Sequence, residues 1–392
     1  MNVLFLNFIP ILSHVGGVQK VTDVLARELL KRGYKVCFVY YDKRTIPENY
    51  IFPCTQYYID FDKREKARIK KEWLEIVEKN KTDIVVNLHG DAKSLFFIRQ
   101  LPKSIKVITV NHLRPYGGLP LNRDEIQKYR PKSSKDAFLR VVKFIFPTVM
   151  SKVNEFKQTR ELGKLIEVSN KYCVLSIKYI NRIEKFYPKV DKSKLYVIAN
   201  PVPYKIERID YNLKENLILF VGRIVSHKNV SAFIDVWRLL YKNNKEWKAI
   251  IVGDGPDLEF LKEKVKGEKL NNIIFEGSRE DVIPYYQKAK IVCGTSFSES
   301  WNMSLVEGMG FGCVPIAFNS YESISDIIDD KINGFCVEPF NTKQMASDIQ
   351  GLIDCHSKWL KMSHEALNKS RKFSIETITN EWEKLFVLVE NL

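Results

Sequence analysis

The chain has 392 residues, of which 45% are hydrophobic, and since one hydrophobic core seldom organises so many residues, two domains are predicted. No apolar run reaches the ~18 to 20 residues of a membrane-spanning helix, and the apolar opening lacks the preceding Lys or Arg of a signal peptide. The seven cysteines are scattered and form no CxxC pair. A soluble, cytoplasmic protein with reduced thiols is therefore expected. The net charge of +15 is concentrated in residues 1–200, where 38 Lys and Arg outnumber 20 Asp and Glu (+18); such charge attracts nucleic acid, anionic lipid or phosphorylated substrates alike.

The first half of the chain alternates strand-like and helix-like segments. VLFLNF, KVCFVYY, DIVVNLH and IKVITVNH are rich in β-branched and aromatic residues, as the strands of a parallel sheet are. After the first of them, Gly16 and Gly17 precede a helical pattern whose apolar residues recur on one face until Gly33. The order strand, helix, strand predicts a Rossmann-like domain over residues 1–200.

Residues 113–167 interrupt this alternation with basic, aromatic sequence that is broken by prolines, and they are interpreted as an insertion in the first domain. Apolar and basic residues alternate there at helical spacing. The apolar positions are Phe138, Val142, Ile145, Val149, Val153 and Phe156, and the basic ones are Lys135, Arg140, Lys143, Lys152 and Lys157. The pattern predicts an amphipathic helix, bent or interrupted at Pro147, that either binds an anionic membrane peripherally or packs its apolar stripe on the domain's own sheet.

The segment NPVPYKIERIDYNLKEN has two prolines and no clear period, so it is interpreted as a linker. Five further strands follow it, LILFVG, KAIIVGDG, NIIFEG, IVCGTS and VPIAF, with helices that begin near Asn229, Pro256, Asp281 and Ser304. This second alternation predicts a second Rossmann-like domain over residues 201–375. A C-terminal helix is predicted over residues 376–392, and its return to the first domain is left open.

The segment from Gly222 to Lys228 follows a predicted strand of the second domain, at the carboxyl edge where open α/β sheets bind ligands. Gly222 allows close backbone approach, Arg223 presents a planar fork to phosphate oxygens, and Lys228 adds a cation near a helix start. Two cations five residues apart suit a diphosphate. The alternative is a turn flanked by two solvated charges.

Two carboxylates lie close together later in the second domain. Glu299 ends a loop and Glu307 lies inside the next predicted helix. Because one carboxylate accepts two hydroxyl hydrogen bonds, a glutamate that faces a cleft suits a vicinal diol such as a ribose 2′,3′ pair, and the loop glutamate is placed to meet a sugar. Considered alone, the pair also fits a solvated loop charge and a helix surface charge.

Together these segments resemble the retaining glycosyltransferases of sequence family 4, which have the GT-B fold. The matching segments are Gly16-Gly17-Val18, VGRIVSHKNV, VGDGP at 252–256, FEG at 275–277 and ESWNMSLVEGMGFGCVPI at 299–316, and their order and spacing hold over nearly the whole chain. The family more often has Gly at the positions of Ser300 and Asn302. The implied fold class is α/β, with two Rossmann-like domains facing across a cleft.

The resemblance implies a role for each matching position. Arg223 and Lys228 would bind the diphosphate, Glu307 the ribose hydroxyls and Glu299 the transferred sugar, while His112 would face the reacting sugar. The implied catalytic residues are therefore Glu299, His112, Arg223 and Lys228. The implied donor-binding residues further include Gly16, Gly17, Gly222, Gly253, Asn302, Met303, Ser304, Leu305 and Glu307. The alternatives are a His112 that caps its strand and a Gly253 that only forms a turn.

The implied activity is transfer, with retention, of a hexose or N-acetylhexosamine from a nucleotide diphosphate sugar to a glycan or lipid-linked acceptor. The stretch Trp301-Asn302-Met303 is most similar to members that build bacterial surface polysaccharides from UDP-sugars. This resemblance is compatible with a location at the inner face of the cytoplasmic membrane. No metal or other cofactor is expected. Asp60 and Asp62 have the spacing of a metal site found in another glycosyltransferase fold, but they precede a charged helix and are interpreted as helix-capping residues.

Three rival functions are considered. A dehydrogenase would need a G-x-G-x-x-G turn after the first strand, which the sequence NFIPILSHVGG lacks. A sugar-nucleotide epimerase of the same fold would share the nucleotide pocket, but the spacing of the 299–316 block argues against it. A nucleic-acid-binding protein would interleave basic and stacking aromatic residues on one face. That function would not explain the donor-site pattern of the second domain, so no nucleic-acid partner is expected.

Overall fold

The computed structural model describes residues 1–12, 16–43, 52–116, 147–205 and 208–392. In the helix that begins at Pro147, side chains are described from Lys152 onward. The strands are β1 (Asn2–Asn7), β2 (Lys35–Tyr40), β3 (Gln56–Tyr58), β4 (Ile84–Asn87), β5 (Lys106–Asn111), β6 (Lys171–Val174), β7 (Leu195–Val197), β8 (Glu215–Val221), β9 (Lys248–Val252), β10 (Ile273–Gly277), β11 (Ala289–Gly294), β12 (Val314–Phe318) and β13 (Phe335–Val337). The helices are α1 (Gly17–Lys31), α2 (Lys66–Lys79), α3 (Ala92–Arg99), α4 (Pro147–Val168), α5 (Ile177–Phe186), α6 (Val230–Leu240), α7 (Leu258–Gly267), α8 (Ile283–Lys288), α9 (Met303–Gly310), α10 (Ile324–Ile327), α11 (Thr342–Ile353), α12 (His356–Ser370) and α13 (Ile375–Glu390).

These elements form two compact units, each built on its own parallel sheet. The described residues of the first unit lie within Met1–Leu119, Lys152–Pro203 and Ile375–Leu392, and those of the second within Pro120–Ser151 and Tyr204–Ser374. None of the described helices has the length and hydropathy needed to cross a bilayer.

The described strands of the first unit are parallel and lie in the order β3-β2-β1-β4-β5-β6-β7. Successive residues of β1 enter different cores, because side chains alternate across a strand: Phe5 packs with α1 and α13, whereas Leu4 packs with α2 and α3. Both faces of the sheet are therefore covered, which is why its strands are apolar almost without interruption.

The C-terminal helix α13 belongs to the first unit. Its Trp382 and Phe386 are buried in the same core as Phe5. Arg32, which follows α1, donates hydrogen bonds of 2.7 Å to Glu383 and 2.7 Å to Asn380 of this helix. Apolar packing and a polar contact at its edge therefore hold the end of the chain against α1.

In the second unit the described strands are parallel in the order β10-β9-β8-β11-β12-β13. Helices α6 and α11 supply much of its core, including Phe233, Trp237, Met345 and Ile349. The strand order reverses between β8 and β11, and such a switch point is where open α/β sheets bind ligands at the carboxyl ends of their strands. The predicted pair of Rossmann-like folds is confirmed, and β13 is an additional short edge strand.

Candidate active site

The loops after β8 and β11 meet at the switch point of the second sheet. The backbone N–H of Phe297 donates to the His227 carbonyl at 2.8 Å, and the Thr295 hydroxyl donates to the Lys228 carbonyl at 3.2 Å. These contacts bring the segment from Gly222 to Lys228 next to the loop that leads into the 299–316 block.

Lys228 and Glu299 form an ion pair at this junction. The Lys228 ammonium donates to Oε1 of Glu299, and the Ser296 hydroxyl donates to the same oxygen at 2.6 Å. Their side chains are only 21% and 11% exposed, so solvent screens the pair less than it would screen a surface ion pair. Residues assigned separately to the diphosphate and to the sugar are therefore in direct contact in this structure.

The glycines of the site allow the loops after β8 and β9 to touch. Gly253 has a φ of 149°, and a Cβ built on it would lie 1.9 Å from the Gly222 carbonyl oxygen. A side chain at this position would clash with backbone, which cannot move aside cheaply. Gly253 therefore keeps the loops after β8 and β9 in close backbone contact at the site.

Arg223 and Lys228 differ in their surroundings. Arg223 is exposed, whereas Lys228 is half-buried and closes a short 3₁₀ turn, Ser226–Lys228. Helix α6 begins only at Val230, after Asn229 has taken a left-handed φ of 50°. Lys228 therefore lies near a helix start, on the short turn that immediately precedes α6.

Glu307 lies within α9 and is buried. The Tyr286 hydroxyl donates to it at 3.0 Å, and the Tyr204 hydroxyl is a second partner. Burial, and next the negative charge of Glu307, raises the pKa of both tyrosines, so both hydroxyls keep their protons and act as donors. The two tyrosines fix the carboxylate, so Glu307 is not the helix surface charge considered as its alternative.

At the start of α9, the side chains of Asn302 and Leu305 are buried. The Asn302 side chain precedes the helix and is turned inward, where its amide donates to the Tyr321 hydroxyl at 3.2 Å and its oxygen accepts from Ser304 at 2.8 Å. Leu305 is fully buried. Of the predicted donor-binding residues 302–305, Asn302 and Leu305 therefore have only backbone groups to offer a ligand.

The predicted site residues of the first unit lie at the carboxyl edge of its sheet. Gly16 and Gly17 are exposed at the start of α1, in the connection that follows β1. His112 follows β5; both its ring nitrogens are buried, and neither has a well-formed hydrogen bond to a described residue, although the Asn200 side chain lies close to the ring. Burial, and next the nearby His89, lowers the pKa of His112 to about 4, against a smaller opposing effect of Asn200, so the ring is neutral at pH 7. The strand-capping alternative for His112 finds no support.

Asp60 and Asp62 do not cap α2, which corrects the sequence interpretation. The helix begins at Lys66 after Glu65, and no side chain caps it. Asp62 instead accepts hydrogen bonds from Arg64, which lower its pKa, and Asp60 accepts one from Tyr58 at 3.1 Å. Within the described ranges, no three His, Cys, Asp or Glu side chains come close enough to share a metal ion.

Sequence reasoning missed the residues that orient Glu299 and Glu307. Ser296, Tyr204 and Tyr286 each contact one of these carboxylates. Ser296 lies three residues from its partner and within a motif-rich loop, so its proximity was a usable signal. The two tyrosines lie far from Glu307 in sequence and have no local pattern that links them to it.

A family model and several known proteins are similar to the part of the chain that holds this site. Residues 204–372 match the model of the Glycosyl transferases group 1. A glycosyltransferase of Haemophilus influenzae with no assigned substrate is 29% identical over 227 residues, which are 57% of this chain and 64% of the relative. A Campylobacter jejuni N-acetylgalactosaminyltransferase that acts on an undecaprenol-diphosphate-linked glycan is 30% identical over 231 residues, which are 58% of this chain and 64% of the relative. Both alignments thus span just under two thirds of the relatives' length.

Among solved structures, Anabaena HepE in complex with UDP and glucose superposes with a TM-score of 0.73 at 15% identity, and the match covers 99% of each chain. At this identity the likeness concerns the fold alone. It extends beyond the matched domain to both units. The chain therefore has the GT-B fold, and its residues 204–372 match the model of the group 1 glycosyl transferases.

Proposed function

We propose that the protein is a retaining, metal-independent glycosyltransferase that transfers a hexose or N-acetylhexosamine from a UDP-sugar to a glycan or lipid-linked saccharide in bacterial surface polysaccharide synthesis. The observation that carries this proposal is the contact between Lys228 and Glu299 at the switch point of the second sheet. It brings a cation suited to phosphate and a carboxylate suited to sugar hydroxyls to one point, which is what a nucleotide sugar requires.

The donor binds across the carboxyl edge of the second sheet. Arg223 and Lys228 contact the diphosphate, backbone N–H groups at the start of α9 add partial positive charge, and Glu307 accepts the ribose hydroxyls. The Gly222–Gly253 contact lets backbone approach the phosphates closely. Glu299 contacts the transferred sugar, with Lys228 and Ser296 fixing its direction.

Catalysis rests on stabilising the leaving diphosphate, on which the largest charge develops. The bond from the anomeric carbon to the diphosphate breaks, and the acceptor oxygen bonds to the same face of that carbon. The acceptor's proton passes to the departing phosphate oxygen. No protein nucleophile takes part in this scheme, so retention follows from same-face attack.

Two parts of the first unit are assigned to this reaction. Gly16 and Gly17 leave the start of α1 open to the phosphates. His112 meets the transferred sugar as a neutral imidazole, since its pKa is near 4. Its ring nitrogens support this role: neither has a well-formed hydrogen bond to a described residue, and a buried polar atom without such a bond costs about 1 to 3 kcal/mol that a ligand would recover.

The choice of nucleotide and acceptor is supported by what similar proteins bind. The HepE structure contains UDP, and the Campylobacter jejuni relative acts on a lipid-linked glycan.

Titration with UDP tests the proposal. We expect saturable binding of UDP, no comparable binding of NAD or an oligonucleotide, and a higher Tm in the presence of one member of a nucleotide-sugar panel. Binding to the folded state alone stabilises it by RT ln(1 + [L]/Kd), so a ligand at 100 times its Kd adds about 2.7 kcal/mol. Binding of NAD or oligonucleotide in place of UDP would overturn the proposal.

Activity is expected to survive a chelator. Arg223, Lys228 and the α9 backbone supply the positive charge that a metal ion supplies in other enzymes, so EDTA should leave the rate of transfer unchanged. The measurement is the initial rate with and without EDTA, followed by added Mn²⁺. A loss in EDTA that Mn²⁺ reverses would contradict metal independence; the variant Asp62→Asn would then show whether Asp60 and Asp62 hold the ion.

A further inference from the structure

The first unit exposes four large apolar side chains near one edge of its sheet. Val153 and Phe156 of α4 are 55% and 72% exposed, Leu113 is 72% exposed and Ile177 is 53% exposed. Single exposed apolar residues are ordinary, but a group of them marks an interaction surface.

Leu113 and Ile177 come just after the ends of two neighbouring strands, β5 and β6. Asn111 at the end of β5 pairs with Val174 at the end of β6. Leu113 and Ile177 follow these strand ends directly, so both lie at the carboxyl edge of the sheet.

Helix α4 reaches the same place. Its Thr159 hydroxyl lies 2.9 Å from the hydroxyl of Tyr116, a residue of the loop that contains Leu113. Phe156 and Val153 lie one and two turns further toward the start of the helix on the same face, since residues three apart are neighbours on a helix surface. The four apolar side chains therefore belong to one region.

The two halves of α4 have different environments. Toward its C-terminus, Leu162, Leu165 and Ile166 are buried, as expected for a helix that covers a sheet. Toward its N-terminus, Val153 and Phe156 are exposed. The alternative in which the whole apolar stripe packs on the sheet is therefore wrong for these two residues; the stripe positions before Lys152 lie outside the described side chains.

Exposed cations surround the apolar group. Lys152, Lys157 and Arg160 are exposed on the same turns of α4, where Glu155 is the one acidic residue between positions 152 and 160. Lys178 is exposed beside Ile177. Apolar side chains flanked by Lys and Arg match the boundary between lipid headgroups and acyl chains, with the cations at the level of the phosphates.

We propose that this surface binds the face of an anionic lipid bilayer. It is called the α4 patch, and its members are Leu113, Lys152, Val153, Phe156, Lys157, Arg160, Ile177 and Lys178. The charge selects an anionic bilayer over a neutral one, because each Lys or Arg near such a surface strengthens binding about fivefold. The proposal does not depend on the identity of the nucleotide or the reaction.

Vesicle flotation tests the α4 patch. The full chain is mixed with phosphatidylcholine vesicles that either contain or lack phosphatidylglycerol, at low and high salt. We expect flotation with the anionic vesicles at low salt, weaker flotation at high salt because salt screens exposed charges, and none with the neutral vesicles. Absence of flotation with anionic vesicles, or equal flotation with both kinds, would overturn the proposal.

Two double variants separate the apolar and charged contributions. Val153→Ser with Phe156→Ser should weaken vesicle binding about tenfold or more, since burial of the Phe156 side chain in the bilayer alone strengthens binding by about tenfold or more. Lys152→Glu with Lys157→Glu should weaken it about 25-fold or more. All four residues are exposed, so Tm and UDP affinity should stay unchanged.

The matched control is Lys331→Glu with Ile332→Ser in the second unit, where both side chains are exposed. It makes one charge reversal and one apolar-to-polar change, and it should leave flotation unaltered. Unchanged flotation of either α4-patch variant, or an equal loss in the control, would show that the protein reaches lipid by another surface or by its net charge alone.

Discussion

Replacement of Lys228 by alanine is expected to lower kcat/KM for sugar transfer by about 10- to 150-fold, because a charge-assisted hydrogen bond to phosphate contributes about 1.5 to 3 kcal/mol. The loss should lie toward the upper end of that range. Lys228 also holds Glu299 in place, so its removal should disturb the proposed contact of Glu299 with the sugar and leave a mostly buried carboxylate without this cation.

Arg223→Ala tests the other phosphate contact and should fall in the same range. Arg223 is exposed, so the Tm of the Arg223→Ala variant should equal that of the unchanged protein. Lys228→Ala should lower Tm because it breaks the ion pair with Glu299. The measurement is kcat/KM with the nucleotide sugar that stabilises the protein, together with Tm.

A matched control exists for the loss of a partly buried ion pair. Lys264 donates to Asp235 at 2.7 Å in the same unit, and its side chain is about as exposed as that of Lys228. Lys264→Ala should lower Tm while leaving kcat/KM near normal. Near-normal turnover in both Lys228→Ala and Arg223→Ala would exclude the phosphate site.

The strands and most helices followed from local sequence. Parallel strands buried on both faces must be apolar throughout, and the segments that became β1, β2, β8 and β11 have that composition. Helix α1 ends beside Gly33, which has a φ of 87°, as its pattern predicted. The loops that follow such strands could be placed at the carboxyl edge because every strand of a parallel sheet ends there.

The contacts within the site did not follow from local sequence. Lys228 and Glu299 are 71 residues apart, and their pairing depends on which strands become neighbours at the switch point. The same limit applies to Glu307 and its tyrosines. Asp60 and Asp62 show the opposite error: a local capping pattern was present, but Arg64 competes for the carboxylate and the helix begins after it.

Glu307→Gln is expected to weaken UDP binding by about 10- to 150-fold, since it replaces a charged acceptor of two ribose hydroxyls by a neutral amide. The fold should tolerate the change, because the glutamine oxygen can still accept from Tyr286 and the tyrosine oxygens can accept from its amide group. Tyr286→Phe should weaken UDP binding less, since it leaves the carboxylate charged but removes the hydroxyl that orients it.

The control for the tyrosine–glutamate contact lies next to it in sequence. Tyr285 donates to Glu276 at 2.8 Å, a contact of similar length in the same unit. Tyr285→Phe and Glu276→Gln should leave UDP affinity unchanged. Calorimetric titration of UDP into all four variants measures the difference directly, without requiring the acceptor to be known.

Glu299→Gln separates the sugar contact from the nucleotide contact. Its side chain can still accept from Ser296 and Lys228, so free UDP should bind within about threefold of normal, whereas the loss of charge toward the sugar hydroxyls should lower kcat and change the preference among nucleotide sugars. Free UDP lacks the sugar, so its affinity reports only on the groups that hold base, ribose and diphosphate. If Glu299→Gln weakened free UDP as strongly as Glu307→Gln, the two carboxylates would share the nucleotide, and the sugar would have to be recognised by other residues.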